Sequence, residues 1–564
     1  MMGAGPARGQ TPAEPKAAEE KRDGKDPQAD EGIPIDSALV KRACGACHPS
    51  DEKGRMSRIS YRRTTPEGWQ ETVKRMVALN GVALAPDEAR QIVKYLANRL
   101  GLAPEEARPG QFEVERRLID WKYTADNDTE QACNKCHSLG RVILQRRTKQ
   151  EWELLVAMHR GYYPLSDFQA FRRMGPQQSA PAPDGRPPDN RHPMEKAIGH
   201  LAGAFPLKTA EWSAWSAAMG APRAEGRWAL AGYEAGKGAV YGEVTIRRND
   251  ASADGDEFLT ETRYTYAKTG RTVARTGKSV VYTGFQWRGR SSEGGADEMR
   301  ETMLLDRNRR TMTGRWFNGG YDERGIDVTL TRITSDPQIS GLSPAVWKRG
   351  APAGEVAIYG ANLPGGLGAK DLDFGPGVSV KRVVSAAPAK VVVEIEVAAG
   401  ASPGRRDVTV GSAVKEGALT VFDKVDTLKV RPQAGLARVG GIVFPKQHQQ
   451  FEAIGYDNGP DGKPDTADDL DLGPVEVVWS VEEFTATYDD DDKDFVGALD
   501  QNGLFTPNVD GPNPKRRNNT NNFGDVWVVA TYQGAAGAKP VRARAHLLVT
   551  VPLYMKWDQP EVSR

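Results

Sequence analysis

The spacing of apolar residues changes once along the chain, near residue 222, from a helical period of 3.6 to a strand period of 2. Before that point one design is used twice. Thr65-Pro66-Glu67-Gly68-Trp69 leads to Val73 and Met76, and Thr148-Lys149-Gln150-Glu151-Trp152 leads to Val156 and His159. Each predicts a helix opened by a capping threonine. Pro66 takes the favoured first position in one copy, and Thr148 with Glu151 makes a capping box in the other. The Trp, the Val four residues on and the residue seven on share one helical face. That last position, Met76 or His159, therefore projects toward whatever the face covers.

After residue 222 the segments 240–246, 258–266, 279–287 and 325–333 alternate as half-buried strands between Gly-rich turns. They predict an antiparallel barrel or sandwich over 223–334. A second β module over 335–424 contains 339–344, 391–397 and 406–410, and a third over 425–554 contains 475–481, 526–532 and 546–554. Both have the size of immunoglobulin-like sandwiches, without cysteines for the usual inter-sheet disulfide. The fold class is thus multidomain, an all-α domain over 33–222 followed by three all-β domains. Residues 1–32, mostly Ala, Pro and charge, predict a disordered lead-in.

Composition removes some classes of function. Lys and Arg total 76 against 75 Asp and Glu, so no net charge favours nucleic acid or an anionic membrane. No run of 18 apolar residues exists to span a bilayer.

All four cysteines fall in two Cys-x-x-Cys-His motifs, Cys44-Gly45-Ala46-Cys47-His48 and Cys133-Asn134-Lys135-Cys136-His137. This spacing places two thiols for the two vinyl groups of one haem and an imidazole for its iron. Two covalently bound haem c groups are expected, making 33–222 a diheme cytochrome c domain. A haem lying on each Trp–Val face needs a sixth ligand from the side opposite its motif. The expected pairs are His48 with Met76 and His137 with His159. A core methionine at 76 and a surface histidine at 159 are the alternatives, with Met158 or Met174 ligating in place of His159. A thioether ligand raises the potential of its haem, and a second imidazole leaves it lower. Haem attachment of this kind takes place outside the bacterial cytoplasm, so a periplasmic location is expected, with the export signal missing or already removed.

The other candidates are weaker. His192 and His200 lie in or near a Pro-rich loop over 179–193 and read as solvent-facing, and His448 and His546 belong to the β half. The acidic stretch 457–471, with Asp457, Asp461, Asp465, Asp468, Asp469 and Asp471, offers oxygen ligands suited to calcium. It departs from the EF-hand order and lacks the terminal Glu, so a solvated turn is the alternative. Asp489 to Asp492 read as surface charge. The β modules contain no nucleophile elbow, metal-binding His-Glu-x-x-His or phosphate loop.

The two haem motifs, the Trp-Val-Met and Trp-Val-His helices, the segment 226–232 (GRWALAG) and the domain order resemble the α subunit of quinohemoprotein amine dehydrogenase. The resemblance covers nearly the whole chain after residue 33. It implies a periplasmic heterotrimer with a β-propeller β subunit and a small γ subunit whose cysteine tryptophylquinone deaminates primary amines. The α subunit would take electrons from that quinone and pass them to a soluble cytochrome c or blue-copper protein. This chain has no spare cysteine with which to build the quinone, so the amine-oxidising centre is expected on the partner and no catalytic residue here. The β domains are then expected to serve as scaffold and subunit contact.

Two other readings compete. A diheme peroxidase needs one iron open to peroxide, whereas both copies offer a sixth ligand at the same helical position. Cys44 and Cys133 are also only 89 residues apart. A free-standing diheme carrier with accessory β domains would differ by lacking the propeller and quinone partners.

Overall fold

The computed structural model describes residues 31–110, 123–133, 139–171, 191–252, 254–319, 322–441, 444–484, 490–534, 537 and 539–552. Nearly all of the 1–32 lead-in, most of the Pro-rich loop, and Cys136, His137 and Met174 lie outside these residues.

The first region carries helices α1 (Ala38–Cys44), α2 (Pro66–Asn80), α3 (Pro86–Arg99), α4 (Pro104–Ala107), α5 (Asn127–Cys133), α6 (Gly140–Ile143), α7 (Lys149–Tyr162), α8 (Pro164–Ser166), α9 (Pro193–Ala204) and α10 (Ala210–Ala218). It is not wholly helical as expected. Much of it is irregular, and the segments leading into α2 and α7 form two strands, β1 (Arg62–Thr64) and β2 (Gln145–Arg147). Three residues are too few to carry a periodic signal. The strands pair antiparallel, Arg62 with Arg147, Arg63 with Arg146, and Thr64 with Gln145.

Thr65 and Thr148 are the equivalent caps of the two copies, so Arg63 and Arg146 are equivalent positions that pair with each other. A local two-fold axis therefore passes between them. Glu106 of α4 closes this axis. Arg63 donates to its two carboxylate oxygens at 2.8 and 2.9 Å, and Arg146 Nε donates at 3.0 Å. Thr209 Oγ1, just before α10, adds a further bond at 2.9 Å. Burial alone would raise the Glu106 pKa, but the two guanidinium groups outweigh it and hold the carboxyl below its usual range.

The period-2 region begins with a closed barrel of eight antiparallel strands. They are β3 (Gly226–Glu234), β4 (Gly238–Arg248), β5 (Glu257–Tyr266), β6 (Thr272–Tyr282), β7 (Gln286–Glu293), β8 (Ala296–Leu305), β9 (Thr311–Gly319) and β10 (Asp322–Arg332). Each pairs with the next, and β10 returns to β3. On β5 the alternate residues Phe258, Thr260, Thr262, Tyr264 and Tyr266 are buried, as a pleated wall requires. The segment 279–287, expected to be one strand, is instead a hairpin between β6 and β7. Thr283 (φ 52°) and Gly284 (φ 74°) both take positive φ and turn the chain tightly. The tip of this hairpin docks on the helical region, where Asn98 Oδ1 of α3 accepts from Thr283 N at 2.7 Å. Arg288 of β7 forms a buried ion pair with Glu67 of α2, with Nη2 at 3.3 Å from Oε2.

The next module packs two four-stranded sheets around one apolar core that includes Val356, Ile358, Val393, Val408 and Val421. The last module distributes its strands over three sheets, of three, four and three strands, and so departs from a simple two-sheet sandwich. There the strand expected at 475–481 is displaced to Val478–Glu483, and the one expected at 546–554 is the end of Val541–Thr550. No helix among the described residues is long and apolar enough to cross a membrane.

Candidate functional site

Ser37 caps α1 by accepting from Val40 N at 3.2 Å, and the helix delivers Cys44 at its end. The chain continues as helical turns, with Gly45 N donating to Lys41 O and His48 N to Cys44 O, both at 2.9 Å. This folds the first motif into one compact loop. Cys44 is half-buried, and burial together with the neighbouring Cys47 raises its pKa, while Cys47 itself is exposed. His48 Nδ1 lies 3.0 Å from Ser57 O. That bond makes Nδ1 the donor, fixes the ring, and leaves the Nε2 lone pair for a metal, the usual arrangement of an iron-ligating histidine. Burial lowers the His48 pKa, which favours the neutral ligating form.

Over this loop lies α2, capped by Thr65 accepting from Gly68 N at 3.2 Å. Its Trp69 and Val73 are buried in the same apolar cluster as Ala43 and Cys44. Met76 continues that face, half-buried, with Asn80 Nδ2 at 3.8 Å from its sulfur.

The second copy is built alike. Asp126 accepts from Thr129 N at 2.8 Å and starts α5, which ends on Cys133. Burial chiefly, with Asp126 nearby, pushes the Cys133 thiol up to about 12. Thr148 caps α7 by accepting from Glu151 N at 3.3 Å. The capping box forms only by half, because the Glu151 carboxylate pairs with Arg58 and Arg147 and Thr148 N donates to Tyr61 O. His159 Nδ1 lies 2.8 Å from Leu155 O, one helical turn back. As at His48, Nδ1 donates to a backbone carbonyl, which fixes the ring. Burial lowers the His159 pKa, with Arg75 and Arg147 adding to the shift.

His159 and Cys133 line one cavity of about 1000 Å³. Trp152, Leu155 and Val156 of α7, Phe171, and Met194, Ile198 and Leu201 of α9 supply apolar walls for a flat macrocycle. A further wall is α2 of the first copy, presenting the face opposite Trp69, with Glu71, Lys74, Arg75, Ala78 and Leu79. Sequence reasoning missed that wall, since the polar outer face of α2 reads as solvent-exposed. Met158 lines the same cavity, but the backbone anchor belongs to His159. The donor set fits a covalently held haem: a thiol, an imidazole anchored through Nδ1, apolar walls, and buried polar atoms with no partner among the described residues. Those atoms are Arg75 Nε, Trp152 Nε1 and Ser166 Oγ.

The remaining candidates have structural partners. His192, expected to face solvent, caps α9 by accepting from Met194 N at 3.0 Å. His200 Nε2 lies 2.7 Å from Tyr123 OH, and His546 pairs with Asp525 at 3.0 Å. In the 457–471 loop the carboxylates accept from the loop's own amides, from Thr466 and from Lys429, as in a self-closed acidic turn. Among the described residues the carboxylates that come within ligand distance of one another are those of Asp490, Asp491 and Asp492. Arg516 already pairs with two of these, at 2.8 Å to Asp491 and 2.5 Å to Asp492.

Comparison with known proteins gives four consecutive family matches. They are described as quinohemoprotein amine dehydrogenase A, alpha subunit, haem binding (35–175), and alpha subunit domain II (222–333), domain III (336–423) and domain IV (428–562). No curated protein matches the chain. Among solved structures, a redesigned β-barrel is 13% identical over 20% of this chain and 97% of its own, with a TM-score of 0.18. Human protocadherin-24 EC1-2 is 13% identical over 38% and 98%, with a TM-score of 0.13. Both likenesses are too slight to bear on function.

Proposed function

Because the chain belongs to the quinohemoprotein amine dehydrogenase alpha-subunit family, with its haem-binding region and domains II to IV in order, we propose that it is the electron-transfer subunit of such an enzyme. Two haem c groups, bound through Cys44, Cys47 and His48 and through Cys133, Cys136 and His137, would supply one-electron storage. Met76 and His159 are the proposed sixth ligands. The proposed donor is a cysteine tryptophylquinone on a small γ subunit, held beside a β-propeller β subunit in the periplasm. Oxidation of a primary amine and water to aldehyde and ammonia releases two electrons and two protons. The electrons would leave singly through this chain to a soluble cytochrome c or blue-copper protein.

What carries the reading is the paired histidine geometry. His48 and His159, on different copies of the repeat, each engage a backbone carbonyl through Nδ1, at 3.0 and 2.8 Å. Fixed ligands of this kind, with a buried macrocycle, limit reorganisation when the iron changes charge. Anaerobic titration of the co-purified complex with a simple primary amine is the test. Reduction of both haems supports the reading. A preparation that carries both haems but is inert to amines points to the free-standing carrier instead.

A further inference from the structure

The two copies differ at one buried atom. Trp69 Nε1 donates to Leu100 O at 3.1 Å, so the first tryptophan is satisfied by its own chain. Trp152, at the equivalent position and only 1% exposed, has no partner for Nε1 among the described residues. Leaving a buried N–H unpaired forfeits its solvation, so it marks a place where an acceptor is expected. Trp152 lines the cavity that holds Cys133 and His159.

A second orphan lines the same cavity from another element. Arg75 Nε, on α2 of the first copy, is buried without a partner among the described residues, and its Nη2 makes a long bond of 3.4 Å to Thr72 Oγ1. The neighbouring Arg147 is differently placed, because Gln145 and Glu151 already engage it at 2.8 to 3.4 Å. A guanidinium N–H and an indole N–H that line one cavity suit an anionic oxygen, and a carboxylate can accept from both. The macrocycle proposed for this cavity carries two carboxylate side chains.

We infer that Trp152 Nε1 and Arg75 Nε together hold a propionate carboxylate of the haem attached at Cys133, a clamp drawn from both copies of the repeat. The inference rests on the proposed haem in this cavity and adds two positioning residues to it. Neither residue ligates iron. Both set how much negative charge lies near it, and that charge favours the ferric state.

The test is spectroelectrochemical titration of the purified holoprotein and its variants, with haem counted per chain in each. In Arg75→Gln, one of the two midpoints should fall by about tenfold in the reduction equilibrium, 59 mV for one electron. Arg75→Lys should restore most of that shift, because it keeps the charge. Trp152→Phe should lower the same midpoint by a smaller amount and make it more dependent on pH, while the other midpoint stays. Arg75 is half-buried on a helix face, so its variants keep the fold even where Trp152→Phe does not. Unchanged midpoints in Arg75→Gln with two haems bound overturn the clamp alone. Fewer than two haems in the wild-type chain overturns the underlying reading and the clamp with it.

Discussion

Arg63 and Arg146 face each other across a three-residue ladder and close on the same carboxylate, Glu106, at 2.8 to 3.0 Å. They are equivalent residues of the two repeats, so the repeats meet at a buried charge cluster rather than at an apolar seam. The cluster also engages Thr209 and the Leu207 carbonyl, which ties in the segment leading to α10. Removing one member of a buried pair leaves charge uncompensated, and two arginines depend on this one acid. Glu106→Gln should therefore destabilise the helical region by about 3–5 kcal/mol. Urea unfolding followed by haem absorbance measures it, and a loss below 1 kcal/mol contradicts the assigned role.

Acid stability should follow the same group together with Glu67. Burial works to raise both carboxyls, but Arg63 and Arg146 at Glu106, and Arg288 at Glu67, outweigh it and hold each below its ordinary value. A depressed folded pKa means that the folded state binds fewer protons than the unfolded one. Their stabilisation is complete above the unfolded carboxylate value, about 4.3, and disappears as pH falls through the folded values. Melting temperature should drop below that pH, and more gently in Glu67→Gln paired with Arg288→Met. An equal acid slope in this double variant and the wild type would rule out the Glu67 contribution.

Ligand substitutions should separate the two irons. Met76→Ala is expected to abolish the weak sulfur-to-iron charge-transfer band and lower one midpoint, leaving the other haem untouched. His159→Ala should convert one low-spin ferric signal to high-spin in electron paramagnetic resonance. If Met158 were the ligand instead, His159→Ala would leave both signals in place and Met158→Ala would change one.

Inside the barrel, Gly289 leaves room for its neighbours. A Cβ there would stand 2.6 Å from Glu301 Oε2 and 3.0 Å from Trp287 Nε1, two groups that bond each other at 3.0 Å. Gly289→Ala should cost about 1–3 kcal/mol through forced displacement of that pair. Thermal unfolding of the variant measures this, and Gly294→Ala, where a Cβ meets nothing, tests whether backbone strain alone has a comparable effect.

What the sequence disclosed follows the range of the interactions. The helix starts at Pro66 and Lys149 were legible because a cap and its helix face are set within twelve residues, 65–76 and 148–159. The ladder was not, since Arg63 and Arg146 are 83 positions apart and three residues have no period. The break at Thr283 escaped notice because threonine seldom takes positive φ, and here the bond to Asn98 holds it. His192 read as a loop residue, yet it supplies a cap that is commonly Ser, Thr, Asp or Asn. The half-made box at Thr148 has a tertiary cause, the diversion of Glu151 to Arg58 and Arg147.

Helix α2 serves two neighbourhoods with opposite sides. Trp69 and Val73 pack around Cys44, Glu67 reaches the barrel, and Gly68, Glu71, Lys74, Arg75, Ala78 and Leu79 border the Cys133 cavity. Such a segment has almost no idle positions on which mutations could accumulate unnoticed. Among related chains, variation within these fifteen residues should collect at the exposed Val77 and Asn80, and insertions there should be purged.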